Sequence, residues 1–470
     1  MDAIVSLADS EIREVSLGPV ASGCEDRISK LPEDVLLYIL SHLPIKDVLR
    51  TSALSKRWKY LWTSVSEIDF NEYNHELRLD MKTSFLDSVD NVLLRHDPSD
   101  IRKFRLELMM LIIAERINSW VSAAVSHNVQ ELDLSLPVEK HFVLHYSLFT
   151  SESISILKLR MGSYFKFPYL IRLSNLKTLH LAVTFPDDRS TERFFSGCPV
   201  LEELVLDNCV WNHNKSITLC IPTLRALTIY NGPFSPDGLL DCVIIVHAEN
   251  LTSFRYTSCL AIGLLPCNLT SLESAYVDAY VDITYLEHTE DEFPKRAISL
   301  LSRIHNVKSL TLSTDTMECL YLEEYLQAGL PTFSSLTHLK VNIGESQYLS
   351  DQLLMCLLEK SPNIESLEIP EVFYPDSDRL STAVPQCFNT RLKTVVISNI
   401  DGDDVGELWF LKYMLENATV LERVKIFCVD SEIELVKQEI NQQLQPIHIR
   451  SKSCVIEFCD ESNQEPDIFP

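Results

Sequence analysis

The sequence has no Cys-x-x-Cys pair, no apolar run long enough to span a bilayer, and no surplus of cations. Its thirteen cysteines are odd in number and scattered singly, which argues against a zinc framework and against a disulfide scaffold. The opening "MDAIVSLADSEIREVSLGPVASGCEDR" lacks the basic start and apolar centre of a secretory signal, so the thiols are expected reduced and mostly buried. Among the longest apolar runs is "LMMLIIA", Leu108 to Ala114, against the roughly twenty residues a membrane helix needs. Lys and Arg number 41 against 67 Asp and Glu, a formal net charge of −26. Such a chain is poorly suited to a nucleic-acid backbone or an anionic membrane surface. The expectation is an intracellular protein of the cytoplasm or nucleus with no nucleic-acid or membrane partner.

Catalytic signatures are missing too. There is no GxGxxG, GxxxxGK[ST], HExxH or GxSxG stretch. "GCP" around Cys198 suggests a thiol nucleophile, yet it directly precedes an apolar repeat and reads as a buried structural residue. His127, His145, His305 and His338 have no acid or cysteine partner at motif spacing. No enzyme activity, metal or cofactor is expected.

What is present is repetition. One hexapeptide, apolar-x-x-apolar-x-apolar, begins at Ile101 ("IRKFRL"), Val129, Ile154, Leu176, Leu201, Leu224 and Leu251. It returns at Leu272, Val307, Leu336, Ile364, Leu392 and Leu421 ("LERVKI"), with successive starts 28, 25, 22, 25, 23, 27, 21, 35, 29, 28, 28 and 29 residues apart. A period near that of a leucine-rich repeat implies one strand per unit, stacked in parallel, because a unit cannot cover its own apolar face. The expected fold is α/β: a curved solenoid with a parallel sheet on the concave face and helices or loops on the convex face. "LTSFRY" and "LESAYV" are the weakest units, since Tyr256 and Ala275 replace leucines. The 35-residue step is expected to hold a loop around "DITYLEHTEDEFPK", and "DQLLMCLLEKSP" from Asp351 a helix.

Alternate strand residues face outward. They include Arg105, Lys158, Arg160, His180, Tyr230, Arg255, Tyr276, His338 and Lys340, a mixed, aromatic-bearing surface suited to a protein target.

Ahead of the repeats, "LPEDVLLYILSHLPIKDVLRTSALSKRWKYLW" (Leu31 to Trp62) reads as three short helices. Val35, Leu36, Ile39, Leu40 and Leu43 form the apolar stripe of the first; Val48 and Leu49 mark the second; Trp58, Leu61 and Trp62 mark the third. Helical spacing alone favours a cap over the first repeat.

Residues 26–70 closely resemble the F-box of plant F-box proteins, through the leading Asp-Arg-Ile-Ser, Leu31-Pro32, Ile39-Leu40, Leu43-Pro44 with Lys46, "TSALSKRW" and Leu61-Trp62. Residues 384–459 resemble the FBD module that often ends such proteins, through "VPQCFNTRLKTVVISNIDG", Glu407 and "LKYMLENATVLERVKIF". The resemblance implies an F-box at 26–70, repeats at 100–383, and an FBD module at 384–459 continuing the solenoid. A disordered segment at 1–25 and an acidic tail at 460–470 are expected to flank them. It further implies the substrate-recognition subunit of a Skp–cullin–F-box ubiquitin ligase, which docks a Skp-type adaptor and, through it, cullin, while the repeats hold a target. By family position, Leu31, Pro32, Ile39, Leu40, Leu43, Pro44, Val48 and Leu49 face the adaptor, whereas Trp58, Leu61 and Trp62 belong to the F-box core or its seam with the repeats. Two alternatives stay open: a small-molecule-dependent co-receptor of the same architecture, with an inositol phosphate on Arg105, Lys158 and Arg160, and a non-ligase interaction scaffold.

Overall fold

The apolar hexapeptides become strands. A computed structural model describes residues 27–28, 30–71, 79–97, 100–137, 142–164, 166–211, 216–232, 243–259, 263–267, 269–280, 292–320, 329–344, 349–370, 373–374, 383–400, 408–428 and 433–460. Each of the thirteen hexapeptides runs into a β-strand, and none of their apolar positions is more than 4% exposed. Tyr256 and Ala275 are no exception: the Tyr256 ring is buried and its hydroxyl donates to the Cys259 carbonyl at 3.2 Å. The weak units are structurally regular.

Two compact units form, one of residues 1–186 and 196–201, the other of residues 187–195 and 202–470. The first opens with α1 (Glu33–Ser41), α2 (Ile45–Thr51) and a 3-10 helix (Trp58–Ser64). Strands β1 (Glu67–Asn71), β2 (Lys103–Glu107), β3 (Glu131–Leu136), β4 (Ile156–Tyr164) and β5 (Thr178–Thr184) then pair in that order, all parallel. Helices α3 (Leu79–Arg95) and α4 (Ala114–Ser126) fill the first two connections. Beyond the end of α4, Asn128 adopts φ 53°, the left-handed conformation that stops helices, and Val129 N–H closes back on the Ala124 carbonyl.

The helical head is tied to this first sheet by backbone. Arg102 N–H donates to the Ser66 carbonyl at 2.8 Å and Asp97 N–H to the Thr63 carbonyl at 2.9 Å. His96, buried at the end of α3, places Nε2 3.0 Å from the Val65 carbonyl oxygen. Helix α2 packs on β1. The head thus packs on β1, a strand that precedes the first of the hexapeptide repeats.

In the second unit β6 (Glu203–Asp207), β8 (Ala226–Tyr230), β10 (Ser253–Cys259), β12 (Ser274–Tyr280) and β13 (Ser309–Ser313) pair in sequence. The ladder continues through β14 (His338–Asn342), β16 (Ser366–Pro370), β18 (Thr394–Ile400), β19 (Arg423–Cys428) and β20 (Val455–Asp460), all parallel, while the two-residue strands β15 (Leu349–Ser350) and β17 (Phe373–Tyr374) pair with each other. Between them β7 (Ser216–Cys220), β9 (Val243–His247) and β11 (Gly263–Cys267) make a second, three-stranded parallel sheet. These three strands occupy the steps of 23, 27 and 21 residues.

Helices occupy longer steps: α6 (Glu292–Arg303), α7 (Thr314–Cys319), α8 (Asp351–Glu359), α9 (Gln386–Thr390) and α10 (Trp409–Asn417). Helix α8 forms where expected, with Ser350 Oγ accepting from Leu353 N–H at 3.4 Å. The stretch expected as a loop before β13 is corrected at its end, because "EFPK" opens α6; residues 282–291 lie outside the described residues. The segments 1–25 and 461–470, and Glu407, also lie outside them. An edge of the small sheet is guarded, since Glu192 on α5 (Asp188–Ser196) accepts from Thr218 N–H of β7 at 3.1 Å.

One backbone approach in the first unit admits no side chain. A Cβ at Gly197 would meet Ile171 Cγ2 at 2.6 Å and its carbonyl oxygen at 2.8 Å, while the Gly197 carbonyl accepts from Leu173 N–H at 2.9 Å. Gly197→Ala is expected to destabilise the chain by about 1–3 kcal/mol, seen as a lower melting temperature. An unchanged transition would mean that segments 171–173 and 197 do not touch as described.

Candidate functional site

Helix α1 carries more apolar surface than its neighbours hide. Pro32 and Pro44 precede α1 and α2 with φ near −55°, and Glu33 and Asp34 sit in the first turn, where the helix dipole favours acids. Two apolar stripes run along α1. Leu36 and Leu40 point inward at 0% exposure and join Ile45, Val48, Trp58, Leu61, Trp62 and Val65 in the buried interior. Val35, Tyr38 and Ile39 point outward, with Leu43 just beyond, each more than a third exposed. Leu54 and Tyr60 are exposed too.

This division corrects two expectations. Leu40 and Val48 are expected on the adaptor face, but both are sealed inside the chain: Leu40 lies one turn past Leu36 on the inner stripe of α1, and Val48 is buried on α2. Leu31 and Leu49 are half-buried, while Pro32, Ile39, Leu43 and Pro44 are exposed. Trp58 and Trp62 are core, on a 3-10 helix that packs against α1 and α2, and the Trp62 indole donates to the Lys59 carbonyl at 3.1 Å. The head is locally basic in composition. Residues 27–62 hold seven Lys or Arg against three Asp or Glu, in a chain of net charge −26.

The outward face of the first sheet is a lattice of opposite charges. Register aligns Asp69, Arg105, Asp133, Lys158 and His180 in one row across β1 to β5. Arg105 reaches Glu107 at 2.8 Å, Asp69 at 3.6 Å and Asp133 at 3.8 Å. Arg160 donates to Asp133 at 2.8 Å, Lys103 meets Glu131 at 3.1 Å and Lys158 meets the same Glu131 at 3.9 Å. Burial raises the Asp69 carboxyl above its ordinary value, and this outweighs the opposing pull of Arg105 and Lys103. Arg105, Lys158 and Arg160 thus each carry carboxylate partners already, which a polyanion such as an inositol phosphate would have to displace.

In the second unit the Arg255 guanidinium lies 4.0 Å above the Tyr276 ring, and Lys340 pairs with Glu368 at 3.0 Å. Tyr230 and His338 are exposed on that face. No expected target residue is buried out of reach.

The remaining chemical candidates are structural. Cys198 is buried, and burial pushes its thiol up to about 12, so it stays protonated and a poor nucleophile. His145, His305 and His338 each hold a local oxygen through Nδ1 at 2.8 Å, and His127 packs edge-on against His96. Among the described residues no group of three His, Cys, Asp or Glu could hold a metal, and no helix is long and apolar enough to cross a membrane.

A helical head with a sealed core and an open apolar stripe, followed by leucine-rich strands, defines a class of helix-headed leucine-rich-repeat proteins. Residues 28–69 match the F-box domain family, and residues 92–450 match the family described as At1g61320/AtMIF1, LRR domain. The F-box/LRR-repeat protein At4g14103 of Arabidopsis thaliana is 33% identical over 74% of this chain and 92% of its own length. Two more Arabidopsis thaliana proteins are similar: F-box/LRR-repeat protein At4g14096, 29% identical over 94% and 96% of the two chains, and F-box/FBD/LRR-repeat protein At1g51370, 30% over 86% and 89%. The chain belongs to the F-box/leucine-rich-repeat family.

Leu40→Ala is expected to cost about 2–5 kcal/mol of stability, whereas Ile39→Ala stays within about 0.5 kcal/mol. Denaturant unfolding of the two variants checks this, and equal costs would contradict the inner and outer assignment of α1. Separately, Arg105→Ala leaves Asp69, Glu107 and Asp133 facing one another. Its melting temperature is expected to fall at low ionic strength and to recover largely in high salt. A deficit that salt does not touch would point to lost packing instead.

Proposed function

We propose that this chain is the substrate receptor of a Skp–cullin–F-box ubiquitin ligase. The observation that carries the reading is the open stripe of Val35, Tyr38, Ile39 and Leu43, standing on a core that is complete without it. An exposed apolar face of this kind is surface kept for a protein partner. The seven cations of the head favour an acidic adaptor, since complementary charge speeds encounter and fixes orientation. Leu31, Pro32, Ile39, Leu43, Pro44 and Leu49 are assigned to that contact; Val35 and Tyr38 join them. Leu40 and Val48 support it from beneath.

In this reading the chain performs no bond chemistry. It holds a target protein on its repeats while the adaptor and cullin bring a charged ubiquitin carrier to the target's lysines. Rate then comes from raised effective concentration and orientation. Residues 26–70 are assigned as the F-box, 100–383 as repeats and 384–459 as the FBD module. Support for the last assignment is that β18, β19 and β20 extend the same parallel ladder as β16. The charge-paired state of Arg105, Lys158 and Arg160 weighs against the inositol-phosphate alternative.

The test is co-expression of the full chain with a plant Skp-type adaptor. Ile39→Asp with Leu43→Asp is expected to abolish co-elution without lowering the melting temperature, because both side chains are already at the surface. Adaptor that still co-elutes with this folded variant would overturn the docking assignment. Added salt is expected to weaken the wild-type complex by slowing association.

A further inference from the structure

The first unit bears a second apolar surface, on the loops that follow β2, β3 and β4. After β2, Met109, Leu111 and Ile113 are 50%, 60% and 68% exposed. After β3, Val143 and Tyr146 are exposed, and after β4, Tyr169 and Leu170 are 87% and 63% exposed. These loops are adjacent. The Asn118 side chain of α4, one turn past Ile113, donates to the Val143 carbonyl at 3.0 Å and accepts from His145 N–H at 2.7 Å. Lys166 N–H donates to the Phe142 carbonyl at 3.4 Å, and Arg172 N–H to the Phe149 carbonyl at 2.7 Å. The run "LMMLIIA" is thus a loop whose alternate residues point to solvent.

The third loop, "KFPYLIR" from Lys166 to Arg172, is held at both ends and along its length. Phe167 is buried 6.0 Å from the Phe185 ring, and Ile171 is wedged against Gly197, where even a methyl group has no room. Between these anchors Tyr169 and Leu170 stand into solvent on a fixed backbone. Aromatic side chains have few rotatable bonds, so they lose little entropy on binding, and they recur as centres of protein interfaces. Their flanks carry the second observation. Lys166 and Arg172 are exposed, and among the described residues neither has an ion-pair partner, unlike the cations of the neighbouring sheet face. In a chain of net charge −26, two cations that bracket an apolar crest and have no ion-pair partner among the described residues form a local site for opposite charge.

We propose that this crest, rather than the charge-paired sheet face of the same unit, recognises the target, and that it takes an extended protein segment whose apolar side chains are flanked by carboxylates. The inference rests on the receptor reading given above. Apolar side chains of the segment cover Tyr169, Leu170, Tyr146 and Ile113, and its carboxylates meet Lys166 and Arg172. The sheet face is the poorer candidate, because an incoming charge there must displace an intramolecular partner at each contact.

The experiment uses the full chain in complex with its adaptor and a random dodecapeptide library displayed on phage. Selected peptides are expected to combine aromatic or aliphatic residues with Asp or Glu. Their synthetic forms are expected to bind Tyr169→Ser with Leu170→Ser at least about tenfold more weakly, a loss of about 1.4 kcal/mol. Lys166→Glu with Arg172→Glu is expected to weaken the same peptides comparably and to select basic ones in their place. All four side chains are exposed, so folding is preserved, and retained adaptor binding verifies it in the same sample. Failure to select peptides, selection of peptides without acids, or binding indifferent to these substitutions overturns the proposal. So does concentration-dependent self-association that Tyr169→Ser with Leu170→Ser abolishes, which would assign the crest to a second copy of the chain. Loss of adaptor binding by wild type would instead defeat the receptor reading.

Discussion

A leucine-rich strand cannot bury its apolar residues within its own unit alone; neighbouring strands and the connectors between them must cover them. That constraint underlies every level of the molecule. It forces the strands parallel, because each connection must return to the same end before the next apolar triplet can stack. It explains why Tyr256 and Ala275 are tolerated: the slot demands burial and a fit with two neighbours, not leucine as such. The first strand is the exposed end of such an array, and α2 lies against it.

The helical head answers to the same accounting with the opposite result. Its helices are short, yet Leu36, Leu40, Val48, Trp58 and Trp62 close a core without the outer stripe of α1. A wide apolar arc on one short helix therefore serves two surfaces, one inside and one outside. The head holds an excess of cations while the rest of the chain is strongly acidic. Net charge alone would predict that acidic partners are repelled, but its distribution says where they are admitted.

Much of this was legible in the sequence. All thirteen repeat strands were readable because a burial requirement at fixed spacing leaves an apolar pattern that turns and connectors cannot imitate. Strands β1 and β20 were missed: "SEIDF" was absorbed into the helical head, and "SCVIEF" lacks an apolar residue in the leading slot. Strands β7, β9 and β11 escaped because short connectors carry no period of their own. The siding of α1 was only half legible. Periodicity shows that Val35, Leu36, Ile39, Leu40 and Leu43 share an arc, but which edge of the arc is inside depends on where Trp58 and Trp62 pack. The paired state of Arg105, Lys158 and Arg160 was beyond reach as well, since it arises from register between strands far apart in the chain.

Units whose starts lie from 21 to 35 residues apart keep the same pairing at their apolar strand positions. Length change is therefore nearly neutral in one part of each unit and ruinous in the other, where a single inserted residue would turn every inward side chain outward. An array built this way separates the segment that keeps it folded from the segments free to diversify. Descendants of one ancestral chain can acquire new cargo by lengthening, shortening or exchanging connectors, with the ladder inherited intact.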